Sequence, residues 1–209
     1  GSQAIYNFLR EKIKKKFIFV NNLVSVAKEK EKKKFINLII SKSGNTLETI
    51  SNANILINKK DKNIFITENK ESYLFKLSKK LKAEIIHHNN YIGGRYSVLS
   101  EVGMLPAELM GLDPKKFRRL DNLIKNPKFI NLLISNVQSI LYFIKQKKFN
   151  SVILNYDQNS KWLFDWYQQL LAESLGKKGK GILPIVSEMP KDNHSVMQLY
   201  LDGFKNNFF

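Results

Sequence analysis

A doubly wound α/β fold with a mostly parallel sheet is predicted by two features of this sequence. Short apolar, strand-like runs alternate with helical stretches, and each link between successive runs is long enough to hold a helix. Parallel strands need such long crossovers, and helices then cover the sheet on both faces. A helix over 3–15 (QAIYNFLREKIKK) leads to a strand at 17–22 (FIFVNN), a short helix over 23–33 and a strand at 35–41 (FINLIIS). A helix over 46–58, a strand at 63–69 (NIFITEN), a helix over 71–81 and a strand at 83–89 (AEIIHHN) continue the alternation. After the Gly93-Gly94 turn, residues 95–111 have helical periodicity, which Pro106 should kink or break.

The pattern changes around Asp113-Pro114. Residues 114–149 are helical throughout, and the apolar run FINLLISNVQSILYFI (129–144) predicts a buried crossing helix. Alternation resumes with a strand at 151–156 (SVILNY), a helix over 161–175, a strand at 182–189 (ILPIVSEM) and a closing helix from His194. The expected domains are therefore a first α/β unit at 1–112, then a helical connection and a partial second α/β unit at 113–209. The second is unfinished, because two strands do not make an independent sheet.

With 209 residues and 43% hydrophobic content, the chain can bury one large core or two modest ones. Its longest apolar stretches are broken by charge well short of the roughly 20 residues that cross a bilayer. No charged, apolar and cleavage-site sequence of a secretory signal opens the chain. The absence of cysteine rules out disulfides and thiolate metal sites, and a cytoplasmic location is expected. Three histidines, two of them adjacent, with no HExxH spacing give no metal ligand set, so neither metal nor cofactor is expected.

Thirty-five Lys+Arg against eighteen Asp+Glu give a net charge of +17, which raises nucleic acid or an anionic membrane as partner. The lysines fall in short tracts (12–16, 28–34, 59–62, 79–82, 177–180), mostly where helices should end, and Lys far outnumbers Arg. Solvated faces of a lysine-rich surface account for that layout better than a groove reader does. Neither a membrane nor nucleic acid is an expected partner.

The segment LIISKSGNTLET (38–49) sets a hydroxyl-rich turn between an apolar strand and a helix, the place where open α/β sheets bind ligands. Helix-start N–H groups, the positive end of the helix dipole and the hydroxyls of Ser41, Ser43 and Thr46 together suit a phosphate, with Lys42 nearby. Gly44 permits a tight turn. The plainer alternative is that Ser or Thr simply caps the helix.

Four stretches in order carry a resemblance. SKSGNTLET (41–49) resembles the phosphate loop of the sugar isomerase fold, and its Glu48-Thr49 ending resembles the phosphoglucose isomerase family. IGGRYSVLSEVGMLP (92–106) resembles that family's second signature, and YQQLLAESLGKKGKG (167–181) and DNHSVMQLYLDG (192–203) are similar to later active-site segments. The resemblance implies that both units are of sugar isomerase type. It also implies an aldose–ketose isomerase interconverting glucose 6-phosphate and fructose 6-phosphate through an enediol. Glu173 would be the base that moves a proton between C2 and C1, and Gln169, on the same helical face, would contact substrate. By spacing alone Glu173 is an ordinary acid near a helix end and Gln169 a solvent-facing amide.

Arg95 would stabilise the enediolate, although an arginine pairing with an acidic neighbour fits the spacing equally. His194 would open the sugar ring from the partner subunit of a homodimer; alone, it looks like a capping or packing residue. His87 and His88 are expected to be structural. The alternative function is a non-catalytic sugar-phosphate-binding regulator of the same fold. Three departures from the family stand out. The upstream Gly-Gly-Ser loop and the lysine near the C-terminus are not present, Lys205 lies too near His194 to be that lysine, and Leu175 replaces the usual Asn after Glu-Ser. A fragment impaired in isomerisation is the expectation, with Gly1-Ser2 either the tail of the upstream loop or an expression scar.

Overall fold

The computed structural model describes residues 1–23 and 35–209, which separate into two compact units, Lys15–Pro106 and Gly1–Lys14 with Ala107–Phe209. The helix expected over 23–33 lies outside the described residues, but for Leu23. Helix α1 (Ser2–Phe8) packs against a helix of the later unit and so is grouped with it.

Three parallel strands, β1 (Ile36–Ile40), β2 (Lys62–Glu68) and β3 (Glu84–His88), form the sheet of the unit 15–106, in the order β1-β2-β3. The crossovers are α2 (Leu47–Leu56) and α3 (Tyr73–Leu81). Register pairs Ile39 with Phe65, so both point to one face. There they meet Ala53 of α2 and Leu74 of α3, with Ile50, Ile57, Leu77, Leu81 and Ala83 packed around them. Phe65 and Leu74 are fully buried, each worth roughly 1.5–3 kcal/mol of transfer free energy. On the opposite face Ile64 and Ile66 are buried too. A strand buried on both faces marks a covered parallel sheet, and this is why β2 shows an unbroken run of buried residues.

Residues 17–22, expected as a strand, form none. Phe17 and Phe19 place their rings 6.3 Å apart while Ile18 and Val20 face solvent. The alternating, β-favouring side chains fit a pleated surface, but a strand also needs a neighbouring ladder, which propensity does not supply. The chain here is held instead by Asn52 of α2, whose amide donates to the Asn22 carbonyl at 3.0 Å.

The helix expected over 95–111 is two pieces, a 3-10 stretch at Gly94–Leu99 and α4 (Glu101–Leu109), whose last residues fall in the other unit. The break falls at Ser100, not Pro106. The Ser100 carbonyl accepts from Gly103 and Met104 and its hydroxyl from the Val102 N–H, so serine starts a new helix there.

Two short helical turns, α5 (Pro114–Phe117) and α6 (Asp121–Ile124), precede α7 (Pro127–Lys145). Asp113-Pro114 and Asn126-Pro127 each begin a helix in the same way. The side chain accepts from the N–H two residues on, at 2.9 and 3.0 Å, and proline fills the first helical position. The expected burial of α7 is not found: none of its residues is buried, and Leu132, Ile134, Val137 and Leu141 are each half or more exposed. A helix apolar around its circumference signals burial only when other elements enclose it.

The second sheet is also parallel. It joins β4 (Asn150–Asn155), β5 (Leu183–Glu188) and β6 (Asn207–Phe208) in the order β5-β4-β6, with α8 (Lys161–Leu175) and α9 (Met197–Asp202) as crossovers. The third strand corrects the expectation of two. Being two residues long, β6 has no periodicity to detect; the Asn150 amide pins it by donating to the side-chain oxygens of Asn206 and Asn207 at 3.1 and 2.9 Å. Phe208 also stacks on Phe143 of α7, ring centroids 5.0 Å apart. The closing helix begins at Met197, whereas His194 ends a separate 3-10 turn, Lys191–His194.

Candidate functional site

Parallel strands bring the loops after β1, β2 and β3 to one edge of the first sheet. The first loop runs from Ser41 to Thr46, into the start of α2. Ser41 is buried, its hydroxyl lies 2.7 Å from that of Thr46, and it accepts from the Gly44 N–H at 3.2 Å. The exposed Ser43 hydroxyl accepts from the Asn45 N–H, and Asn45 in turn accepts from the Tyr73 N–H at the start of α3. Thr46 occupies the N-cap position of α2 but does not cap it, since its hydroxyl faces Ser41. Among the described residues the first-turn N–H groups of α2 therefore have no side-chain cap, and they sit at the positive end of the helix dipole.

Gly44 is required twice over. Its φ of +67° is in the left-handed region, and a Cβ there would lie 2.1 Å from Ser72 Oγ and 2.8 Å from Thr67 Oγ1. The Gly44 carbonyl accepts from Leu74 N–H, so loop and α3 are locked together.

Lys42, expected beside a phosphate, has its ammonium tied to the sheet edge. Nζ donates to the Asn90 carbonyl at 2.9 Å and lies 3.4 Å from Glu68 Oε1. Lys70 takes the other oxygen of Glu68 at 2.9 Å. The hydrogen bond from Lys70 leads in holding the Glu68 carboxyl below its usual range; the Lys70 charge and the Lys42 contact add to it, and burial opposes them. Lys42 thus links the loop after β1 with the loop after β3. Glu68 was not among the expected site residues, because nothing local in the sequence marks a partner 26 positions away from Lys42.

The loop after β3 carries Gly93, Gly94 and Arg95. The half-buried Arg95 guanidinium stands over the Tyr96 ring, 4.7 Å from its centroid. His88, at the end of β3, is buried with its Nδ1 against Glu101 Oε1 and its Nε2 3.0 Å from the Ile92 carbonyl. His87 instead turns its ring toward Phe75. One unit thus carries Ser41, Lys42, Ser43, Thr46 and Arg95 in the loops after β1 and β3, which the Lys42–Asn90 hydrogen bond joins.

The other unit holds Gln169, Glu173 and His194. Gln169 donates to Glu173 Oε1 at 2.9 Å, one turn along α8, and both are exposed. At the start of the same helix Lys161 lies 2.7 Å from Glu188 Oε1, at the end of β5. Their hydrogen bond is the main cause that raises the lysine and lowers the carboxyl. The Glu188 N–H donates to Asp192 Oδ2 at 2.8 Å, fixing the turn that ends at exposed His194. Further along α8, Gln168 reaches the Pro184 carbonyl near the start of β5. The helix thus runs back from the end of β5 past its start. Twelve residues from Lys161 to Glu173 are about 18 Å of rise. The fold therefore sets Glu173 and His194 toward opposite edges of the second sheet. Among the described residues no three His, Asp or Glu side chains cluster as a metal site, and no helix is long and apolar enough to cross a membrane.

No family model matches the chain. It is 34% identical to the glucose-6-phosphate isomerase of Methanocaldococcus jannaschii over 99% of its own length and 55% of that protein. It is 36% identical to the glucose-6-phosphate isomerase of Mycoplasmopsis pulmonis, over 84% of the chain and 44% of the relative. The probable glucose-6-phosphate isomerase of Methanococcus maripaludis is 36% identical over 81% of the chain and 41% of the relative. The chain spans about half the length of the curated relatives it matches. Among solved structures, a hypothetical protein from Thermus thermophilus superposes with a TM-score of 0.63 at 24% identity, over 82% of this chain and 45% of that one, a likeness of fold.

Proposed function

We propose, on the premise that this chain matches about half of a glucose-6-phosphate isomerase along nearly all of its own length, that it carries phosphate-binding and proton-transfer residues of such an enzyme. The reaction is interconversion of glucose 6-phosphate and fructose 6-phosphate. The two α/β units are of the sugar isomerase type, 1–112 and 113–209, in a doubly wound architecture whose strand order reverses in the second sheet, where β5 and β6 flank β4.

The phosphate is held by the hydroxyls of Ser41, Ser43 and Thr46 and by the first-turn N–H groups of α2, with Lys42 contributing charge from its bridge. After ring opening, the Glu173 carboxylate removes the C2 proton of the aldose and returns it to C1, while a proton moves from O2 to O1. Gln169 orients Glu173 and the substrate. Arg95 bears on the negative charge that develops on the enediolate. His194, supplied by the partner subunit of a homodimer, handles the ring-opening protons. A crossed arrangement of this kind suits a fold that directs Glu173 and His194 to opposite sheet edges. The chemistry requires no metal or cofactor, and the setting is cytoplasmic, without membrane or nucleic acid.

The match to three isomerases at 34–36% identity is the observation that carries this reading. It is tested by replacing the aligned stretch of the Methanocaldococcus jannaschii isomerase with this chain and following fructose 6-phosphate conversion through a coupled dehydrogenase. Turnover that falls on Glu173→Gln supports the assignment; equal rates with and without the carboxylate exclude Glu173 as the base. A second reading, sugar-phosphate binding without catalysis, is favoured by a phosphate loop built within a single unit. Saturable binding of fructose 6-phosphate to the chain, with no turnover in the chimera, would select it.

A further inference from the structure

We infer that His88 and Glu101 are positioning residues that fix the turn bearing Arg95, an inference that rests on the proposed role of Arg95. The His88 side chain has no exposed surface, and its two ring nitrogens face two acceptors, Glu101 Oε1 and the Ile92 carbonyl. The Nδ1 contact ties the ring to Glu101 and the Nε2 contact secures the Ile92 carbonyl.

Ile92 and Glu101 bracket the segment that matters. Between them run Gly93, Gly94, Arg95 and the 3-10 turn to Leu99. The glycines themselves add no stiffness to the turn: a Cβ at Gly94 would meet nothing within 4 Å, and one at Gly93 only the Tyr96 ring. Within the turn the Gly93 carbonyl accepts from the Tyr96 N–H and the Gly94 carbonyl from the Ser97 hydroxyl, and the two ends tie this turn to the sheet and to α4. His88 holds Ile92 immediately before Gly93, Lys42 holds the Asn90 carbonyl, and Glu101 anchors the far side at the start of α4. Arg95 is thereby presented from a loop clamped at both ends, as a charge stabiliser that must not reorganise during reaction requires.

The test uses the full chain and two probes, inorganic phosphate and a five-carbon aldonate phosphate whose carboxylate stands in for the enediolate. Calorimetry is expected to show tighter binding of the aldonate phosphate, an advantage reduced about tenfold by Arg95→Ala. His88→Phe and the milder Glu101→Gln should each reduce it comparably, with phosphate affinity unchanged and no further loss when combined with Arg95→Ala. Nitrogen-15 spectra of the His88 ring should change between the parent chain and Glu101→Gln, which retains the fold if His88→Phe does not. If Arg95→Ala removes the advantage while both His88→Phe and Glu101→Gln keep it, the positioning role is overturned. If the aldonate phosphate binds no better than phosphate to the parent chain, the assignment of Arg95 fails first and the inference falls with it.

Discussion

The candidate residues of the first unit lie beside a buried, bonded strand end, whereas those of the second lie on exposed helix and turn surface. At the end of the first sheet, Ser41, Thr67, Glu68 and His88 are buried and each is hydrogen-bonded or ion-paired to a named partner. Around the second, Gln169, Glu173 and His194 are exposed, and the acid nearest the strand end, Glu188, keeps 41% of its side-chain surface in water. Of the hydroxyls proposed to grip a phosphate, Ser41 is buried and bonded to Thr46 and Gly44, while Ser43 and Thr46 are exposed. The role proposed for Glu173, taking and releasing a proton, falls to a carboxylate that is exposed and accepts from Gln169 along its own helix.

Several substitutions would break or sharpen this contrast. Phe65→Ala should cost about 3–5 kcal/mol in urea unfolding, whereas Leu132→Ala on exposed α7 should stay within about 0.5 kcal/mol. Equal losses would mean that α7 is enclosed in solution. Gly44→Ala drives a methyl into Ser72 and should destabilise by about 1–3 kcal/mol and abolish inorganic phosphate binding by calorimetry. No change in either would show that the loop is not locked. Ser72→Ala, which removes the cap of α3 that accepts from Phe75 N–H, should lower stability by about 1 kcal/mol.

The smallest effects distinguish the two acids. Glu68 and Glu188 both have lowered folded-state pKa values, so each contributes stability above its unfolded pKa that is lost as pH falls through the folded one. Glu68→Gln and Glu188→Gln should therefore each reduce stability at neutral pH, with the deficit closing in acid; unfolding midpoints measured from neutral to acid pH check this. The half-exposed Glu188–Lys161 pair should be worth about 0.2–1 kcal/mol and vanish near 1 M salt, while the Glu68 pairs persist. If both fade alike, the burial contrast has no energetic content.

Periodicity made most of the elements legible. The strands at 36–40, 62–68 and 84–88 fall where apolar runs predict them, and α8 occupies the expected 161–175. Misreadings arise where a partner distant in sequence decides the outcome. Residues 17–22 have strand chemistry without a ladder, α7 has core composition without enclosure, and β6 is defined by Asn150 more than by its own two residues. At the site, the hydroxyl turn was visible because its donors are contiguous. The Glu68 bridge and the His88–Glu101 clamp were not, since ion pairs across a sheet edge leave no spacing rule to follow.

The exposed side chains of α7 bear on the lysine tracts. A surface with Leu132, Ile134, Val137 and Leu141 bared would draw copies of the chain together, and a net charge of +17 opposes that by mutual repulsion across the solvent gap. Added salt shortens the reach of the repulsion and leaves the greasy attraction intact, so colloidal behaviour should invert the usual salting-in of a basic protein. Light scattering that rises with sodium chloride, and falls back when Leu132 and Val137 become glutamine, would tie the lysines to solubility.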